Sequence, residues 1–197
     1  SMSRVKPPLR IGIPPMLSTV FFPELLTAFH QDYPEIAVVL EEYGSVRACN
    51  LVQNDTLDLA LVNMEQYNID KFHNVVLAND QVVFCVNKDH RLADKEIVTT
   101  KEMSKELLIF FNADSVQNQL LKTRFEMDGY IPNIVMRSSQ IYTTLQFIKT
   151  GKYSCFLYSS MLDKFTDSEI TGIPLNPPIH IKIGMIWKKG KYISGDM

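Results

Sequence analysis

The feature that most constrains the fold is an alternation of apolar strands and helices that occurs twice along the 197 residues. In its first occurrence, Leu9 to Ile13, Ile36 to Leu40 and Asp58 to Val62 are short apolar runs typical of buried strands. A helical repeat of apolar residues starts at Phe22, and a second helix is predicted from Ser45. Strand, helix, strand, helix, strand at this spacing predicts three parallel strands joined by right-handed crossovers.

The second occurrence has strands predicted at 107–111, 134–138 and 153–158, with helices at 115–128 and from Ile141. Two strands lie outside the repeats. Residues 81–86 lead from the first unit to the second, and 179–187 alternates like a strand whose natural partner is the first unit. The stretch 65–79 is predicted to be irregular.

We therefore expect an α/β protein of two lobes with a ligand cleft between them. The chain should cross near Val86 and return after about Tyr158. Lobe I then consists of residues 9–86 and 160–197, and lobe II of residues 87–159. A protein with two such crossovers can close on a ligand like a hinge.

Polar residues follow three of the predicted strands, at Ser18-Thr19, Asn112 to Ser115, and Ser138-Ser139. Each can cap the next helix, and Asp114 with Gln117 fits a capping box. Open parallel sheets bind ligands outside the carboxyl ends of their strands, where the first N–H groups of the helices point. Capping and ligand binding are both open for these residues, and a capping role is favoured for Asp114.

Composition excludes several functions. The net charge is −2, and the only tight basic run is 188–191, so the chain lacks the clustered lysines and arginines of a nucleic-acid surface. The first residues of the sequence lack the apolar core typical of a signal peptide, and no apolar run approaches bilayer length. With three isolated cysteines, this predicts a cytoplasmic protein without membrane contact. The four histidines have no metal-ligand spacing and no catalytic motif is present, so we expect no enzyme activity, no metal and no cofactor.

The order and spacing of several segments resemble the effector-binding domain of LysR-type transcriptional regulators. The segments are Leu9-Arg-Ile-Gly-Ile, Phe22-Pro-Glu-Leu-Leu-Thr-Ala-Phe-His-Gln-Asp-Tyr-Pro-Glu-Ile, Leu57-Asp-Leu-Ala-Leu-Val, Asp89-His-Arg-Leu-Ala and, more loosely, Gly151-Lys-Tyr-Ser-Cys-Phe-Leu-Tyr. The resemblance covers residues 9 to about 194. It implies two Rossmann-like lobes in a type 2 periplasmic-binding-protein-like arrangement.

The sequence departs from the family pattern at two positions. Arg91 stands where proline is frequent, and Lys152 where a second glycine is common. The family's N-terminal winged helix-turn-helix is absent from the sequence, so we expect a regulatory fragment that reaches DNA only through that absent domain. The family's last helix would begin near Ser194, but the given sequence ends at Met197. Without that helix, we expect one apolar face of lobe I to be less covered than is usual in the family.

The resemblance also implies a site between the lobes for a small polar effector such as a carboxylate or an amino acid. The positions of this sequence that correspond to the family's ligand-binding positions are Met16, Leu17, Ser18, Thr19, Asn63, Phe111, Asn112, Asp114, Ser138, Ser139 and Tyr158. Arg47 could reach the cleft to pair with a carboxylate, although a solvated position on its helix is favoured.

The resemblance further implies a homodimer or tetramer, with the helix at 20–31 of one protomer against that at 115–128 of another. Phe21, Leu121 and Met127 are the candidate exposed apolar contacts. Two other functions stay open at this point. A solute-binding protein of a transport system has the same cleft, and a two-lobed enzyme could use Asp114 as its general base.

Overall fold

The computed structural model describes residues 5–65, 69–164 and 167–190 of the chain. In the first unit the strands are β1 (Leu9–Ile13), β2 (Val38–Glu42) and β3 (Leu59–Asn63), and β1 pairs in parallel with both others. The helices are α1 (Pro15–Val20), α2 (Phe22–Asp32) and α3 (Ser45–Gln53). The predicted parallel unit is confirmed.

Helices cover both faces of this sheet. On β3, Leu59 and Leu61 belong to the core beneath α1 and α2, whereas Ala60 and Val62 belong to a second core beneath α3. All five residues of β3 are buried. A parallel strand covered on both faces needs a continuous apolar run rather than alternation, and this is the pattern that the sequence shows.

The second unit repeats the arrangement. After α4 (Thr100–Met103) come β5 (Leu107–Phe110), α5 (Val116–Met127), β6 (Ile134–Arg137), α6 (Ile141–Lys149) and β7 (Tyr153–Tyr158). Strand β5 is parallel to both β6 and β7. The core of this unit contains Phe84, Phe110 and Phe156, with Phe156 5.4 Å and 5.7 Å from the other two ring centres. This unit is confirmed as well.

One long strand joins the two units. β4 (Phe72–Asn87) pairs antiparallel with β9 (His180–Lys188) up to Gln81, and with β7 from Val82 onward. β9 also pairs antiparallel with β3, so the sheet order is β2-β1-β3-β9-β4-β7-β5-β6. The prediction of an irregular stretch through residue 79 is wrong for 72–79. That part of β4 is mostly exposed and shows no alternation, so its pairing with distant β9 could not be read locally.

The change of partners at Val82 lies four residues before the crossing expected near Val86. After α7 (Ser159–Lys164), β8 (Ile170–Pro174) pairs with Val83 to Asn87 of β4. Within a two-lobe division, this pairing would group β8 with the second unit and not with lobe I. The bounds 9–86 with 160–197, and 87–159, stay a prediction.

Several local predictions need correction. Leu121 is fully buried in the core, so it cannot offer the exposed apolar contact expected of it, whereas Met127 is 78% exposed. The helix start expected near Ser194 lies outside the described residues. Among the described residues no helix is both long and apolar enough to cross a membrane.

Candidate functional site

The carboxyl ends of β1, β2, β5, β6 and β7 meet around a small cavity between the two units. Its volume is about 20 Å³, which is room for about one water molecule. Residues of the loops and helix starts that follow these strands form its wall: Pro14, Pro15, Met16, Gly44, Ser45, Phe111, Asp114, Ser115, Val116, Ser139 and Tyr158. This is the edge at which the topology predicts a cleft, and both units contribute to it.

Five of the eleven residues predicted for the site line this cavity, and six do not. Those on the wall are Met16, Phe111, Asp114, Ser139 and Tyr158, and those off it are Leu17, Ser18, Thr19, Asn63, Asn112 and Ser138. Ligand contact stays a prediction for all eleven. The wall nevertheless separates two groups that the sequence could not distinguish.

Ser18 and Thr19 lie within α1 instead of in a hinge before a helix. Helix α1 follows β1 directly, with Pro14 at the cap position and Pro15 as its first residue. A proline is tolerated there because the first N–H groups of a helix have no acceptor within the helix. The Ser18 hydroxyl donates to the Pro15 carbonyl oxygen over 2.7 Å, and Thr19 is exposed. The predicted capping role is wrong, because α1 and α2 both begin without a side-chain cap.

Asn63 is buried and its polar atoms bond to other residues of the protein. Its side-chain amide donates to the Tyr158 phenol oxygen over 3.1 Å, and its amide oxygen accepts from the Glu65 N–H over 3.1 Å. The Asn63 backbone N–H donates to the Ser45 hydroxyl over 2.9 Å. Burial raises the pKa of Tyr158, so its phenol stays protonated at neutral pH. Asn63 thus joins the two units behind the cavity wall.

Asp114 does not cap α5, contrary to the capping-box prediction. The cap is Ser115, whose hydroxyl accepts from the Asn118 N–H over 3.3 Å. Asp114 instead reaches the other unit, where its carboxylate accepts from the Gly44 N–H over 2.6 Å. Its carbonyl oxygen also accepts from the Val46 N–H over 3.2 Å. Because Ser115 satisfies the start of α5, Asp114 is available to bond across the cavity.

The two serines after β6 have separate roles. The Ser139 hydroxyl accepts from the Asn112 N–H, and the Ser138 hydroxyl accepts from the Gln140 N–H, each over 3.1 Å. Helix α6 begins at Ile141, with Gln140 at the cap position and no side-chain cap, so the prediction that Ser139 caps it is wrong. Ser139 faces the cavity and Ser138 does not.

Gly44 and Ser45 are wall residues that sequence reasoning missed. They follow β2, and the rule that ligands bind at the carboxyl ends of parallel strands applies to them as it does to the other turns. The sequence predicts only that a helix starts at Ser45, and Ser45 is the first residue of α3 with Gly44 at the cap position. Arg47 is exposed and stacks 4.7 Å over the Tyr43 ring, away from the cavity wall.

Comparison with known families decides what kind of domain carries this site. The family model described as the LysR substrate binding domain matches residues 3–197. This chain belongs to the LysR substrate binding domain family. The predicted resemblance to the effector-binding domain of LysR-type regulators is thereby confirmed.

The relatives of this chain in Bacillus subtilis are transcriptional regulators. The HTH-type transcriptional regulator YwbI is 30% identical over 187 residues, which is 94% of this chain and 62% of that protein. The transcriptional dual regulator GltC is 20% identical, with the same coverage of both chains. The chain thus spans about three fifths of the length of these curated relatives.

Solved structures confirm the fold of the LysR domain. The regulatory domain of Synechocystis CcmR, solved with 2-PG, superposes with a TM-score of 0.83 at 22% identity, covering 95% of this chain and 90% of that one. The effector-binding domain of QuiR, solved with shikimate, gives 0.80 at 17% identity, covering 96% and 91%. The predicted two-unit, periplasmic-binding-protein-like fold is therefore correct.

A larger groove on the LysR domain lies between α2 and the sheet. It measures about 570 Å³, and its wall is mostly apolar, with Phe22, Phe29, Met185 and Trp187 among its residues. The less covered apolar face expected on lobe I stays a prediction. We place the candidate site at the smaller cavity because polar groups of both units converge there, whereas the groove belongs to the first unit and β9. Among the described residues, no cluster of His, Cys, Asp or Glu could hold a metal ion.

Proposed function

We propose that this domain senses a small polar or anionic metabolite between its two units and passes the change to a DNA-binding domain of a cytoplasmic bacterial transcription regulator. The observation that carries the proposal is the cavity wall itself. The Gly44-Ser45 turn of one unit faces Ser115 and Ser139 of the other, at the carboxyl ends of the parallel strands. A ligand held by both units can distinguish two arrangements of them, as any effector must to shift an equilibrium.

The comparisons support a regulator over a transport protein, because the curated relatives are described as transcriptional regulators. Two domains of this fold were solved as complexes, the regulatory domain of CcmR with 2-PG and the effector-binding domain of QuiR with shikimate. Shikimate is a carboxylate, which supports an anionic effector for this chain too. In the full-length protein, we propose a dimer or tetramer that binds DNA through its N-terminal domain.

A sensor without catalysis is the simpler proposal for the site. Asp114, the candidate general base, already accepts a hydrogen bond of 2.6 Å from the Gly44 N–H. A base needs its acceptor oxygen within reach of a substrate proton. Turnover of a metabolite that Asp114→Asn abolishes would contradict the sensor proposal.

The test is thermal unfolding with and without shikimate and 2-PG, in wild type, Ser139→Ala and Ser138→Ala. A ligand at 100 times its dissociation constant stabilises by about 2.7 kcal/mol, which raises the melting temperature by about 5–10 °C at this size. Ser138 is the matched control, since each serine accepts one backbone N–H over 3.1 Å and only Ser139 lines the cavity.

We expect the ligand-induced shift to fall in Ser139→Ala and to persist in Ser138→Ala. Equal shifts in the two variants would place binding elsewhere. If neither these anions nor a broader set of carboxylates and amino acids shifted the wild-type transition, the effector proposal would be contradicted.

A further inference from the structure

The start of α3 and the loop before α5 form one contact across the candidate site. The Asp114 carboxylate oxygen lies 2.6 Å from the Gly44 nitrogen, and the Asp114 carbonyl oxygen lies 3.2 Å from the Val46 nitrogen. The two residues of the carboxylate contact are 70 positions apart in sequence and belong to different units. The contact therefore fixes the distance between the units at the polar end of the cavity.

The partner of Asp114 is a helix start that attracts negative charge. The first N–H groups of a helix have no acceptor within the helix, and the helix dipole places partial positive charge there. Helix α3 has nine residues, no side-chain cap and no acidic residue in its first turn. The hydroxyl of Ser45 is already used by the Asn63 N–H. The anion at this helix start comes from the opposite unit, as the carboxylate of Asp114.

The closed contact leaves no room for an effector. The cavity holds about 20 Å³, whereas ligand pockets typically measure about 300–1,000 Å³. The fit at Gly44 is equally tight, since a Cβ atom placed there would lie 2.4 Å from the Asp114 carboxyl carbon and 2.4 Å from its carbonyl oxygen. Any metabolite that enters between the units must first separate Asp114 from Gly44.

We propose that Asp114 is an intramolecular latch: its carboxylate holds the cleft closed by occupying the start of α3, and an anionic effector opens the cleft by taking its place on the Gly44 N–H. The latch itself follows from the contacts above, and the displacement by an effector rests on the proposed function. The arrangement makes the effector compete with a group of the protein. The apparent affinity for the effector is then the affinity of the open form multiplied by the fraction of molecules that are open.

Hydrogen exchange of the Gly44 and Val46 amides tests the latch without any ligand. We compare wild type with Asp114→Ala, Asp114→Asn and the control Asp89→Asn, which removes an exposed carboxylate of equal charge. Loss of a charged acceptor should speed exchange at Gly44 about tenfold or more in Asp114→Ala. Asp114→Asn keeps an acceptor oxygen without the charge, so its effect should be smaller. Unchanged exchange at Gly44 in Asp114→Ala would overturn the latch.

A second variant opens the latch from the other side. Gly44 has φ −61° and ψ 155°, a conformation that alanine adopts freely, and the three heavy atoms nearest to an added Cβ all belong to Asp114. Faster exchange at Val46 is expected in this variant, because the added methyl group displaces the Asp114 carbonyl oxygen. Wild-type exchange at Val46 with an intact fold would count against the latch.

Titration with shikimate, and with its uncharged methyl ester, tests displacement. Removal of the competing carboxylate should tighten shikimate binding about tenfold in Asp114→Ala relative to Asp89→Asn, with a smaller gain for the ester. Faster Gly44 exchange with unchanged or weaker shikimate binding would overturn the displacement. Faster exchange with no anion bound by any variant, across the carboxylates of the thermal screen, would support the latch and contradict the proposed function.

Discussion

The side-chain amide of Asn63 at the end of β3 donates a hydrogen bond of 3.1 Å to the phenol oxygen of Tyr158 at the end of β7. Asn63 and Tyr158 are 1% and 4% exposed. The bond joins the two units where they share no strand pairing, since β3 pairs with β1 and β9 while β7 pairs with β4 and β5. With the Asp114 to Gly44 contact on the cavity wall, it gives the units two polar connections at one end of the sheet.

Tyr158→Phe should destabilise the domain by about 1–3 kcal/mol. It removes the hydroxyl and leaves a buried amide N–H of Asn63 without its acceptor, and such an unsatisfied donor carries the full desolvation cost. Urea unfolding followed by circular dichroism measures the change. Tyr142→Phe is the control. Tyr142 is 75% exposed, so removing its hydroxyl should change the free energy of unfolding by no more than about 0.5 kcal/mol. Equal stabilities for the two variants would contradict the role given to the bond.

Glu106 holds the segment that follows β4. Its carboxylate accepts from His90 Nε2 over 2.9 Å and from the Arg91 guanidinium, and Glu106 is 9% exposed. The Leu92 N–H donates to His90 Nδ1 over 3.0 Å, so the ring proton must be on Nε2, where it faces Glu106. Arg91, which stands where the family frequently has proline, thus has a structural partner in this chain.

We expect Glu106→Gln to cost about 1–3 kcal/mol, because the amide has one acceptor oxygen and turns an N–H₂ group toward a second donor. The free energy of unfolding in urea is compared with that of Glu96→Gln, which changes an exposed glutamate. The double variant Arg91→Ala with Glu106→Gln separates the two contacts. If Arg91→Ala removed the whole effect, the His90 bond would contribute nothing measurable.

The repeated units were predictable from sequence because each element has its own local signal. Buried parallel strands are continuous apolar runs, and helices α5 and α6 end before Gly129 and Gly151, whose φ angles of 77° and 84° favour glycine. The first part of β4 could not be predicted. Its pairing with β9 joins residues about 110 positions apart, and its exposed side chains leave no alternation.

The candidate site could be predicted only as a region. Five of the residues predicted for the site line the cavity. The capping rules, however, wrongly predict that Asp114 caps α5 and that Ser139 caps α6. A capping rule considers a single helix, whereas Asp114 bonds to a helix of the other unit. Gly44 shows the same limit, since its importance lies in a distant contact.

Thr99→Ala should cost about 1 kcal/mol through loss of a reciprocal cap. The Thr99 hydroxyl accepts from the Glu102 N–H over 3.3 Å, and the Glu102 carboxylate accepts from the Thr99 N–H over 3.1 Å. Thr123→Ala, at an exposed position within α5, controls for the change in side chain. Chemical denaturation measures both. Equal or greater stability of Thr99→Ala relative to wild type would show that the cap contributes nothing.

Cys49 should make the stability of the domain depend on pH above about pH 9. Burial raises the pKa of the Cys49 thiol from its ordinary value of 9.0 to about 12. The native state therefore favours the protonated thiol, and the contribution is complete below the unfolded pKa. It is lost as pH rises toward the folded pKa, at about 1.4 kcal/mol per pH unit.

The test is urea unfolding of wild type, Cys49→Ala and Cys49→Ser at intervals from pH 7 to 10.5. Lysines and tyrosines titrate in all three proteins, so the difference from wild type isolates the thiol. We expect that difference to be constant up to about pH 8.5 and then to shrink, because only wild type loses the contribution. Parallel stability curves across the whole range would mean that Cys49 ionises as easily in the folded domain as in the unfolded chain.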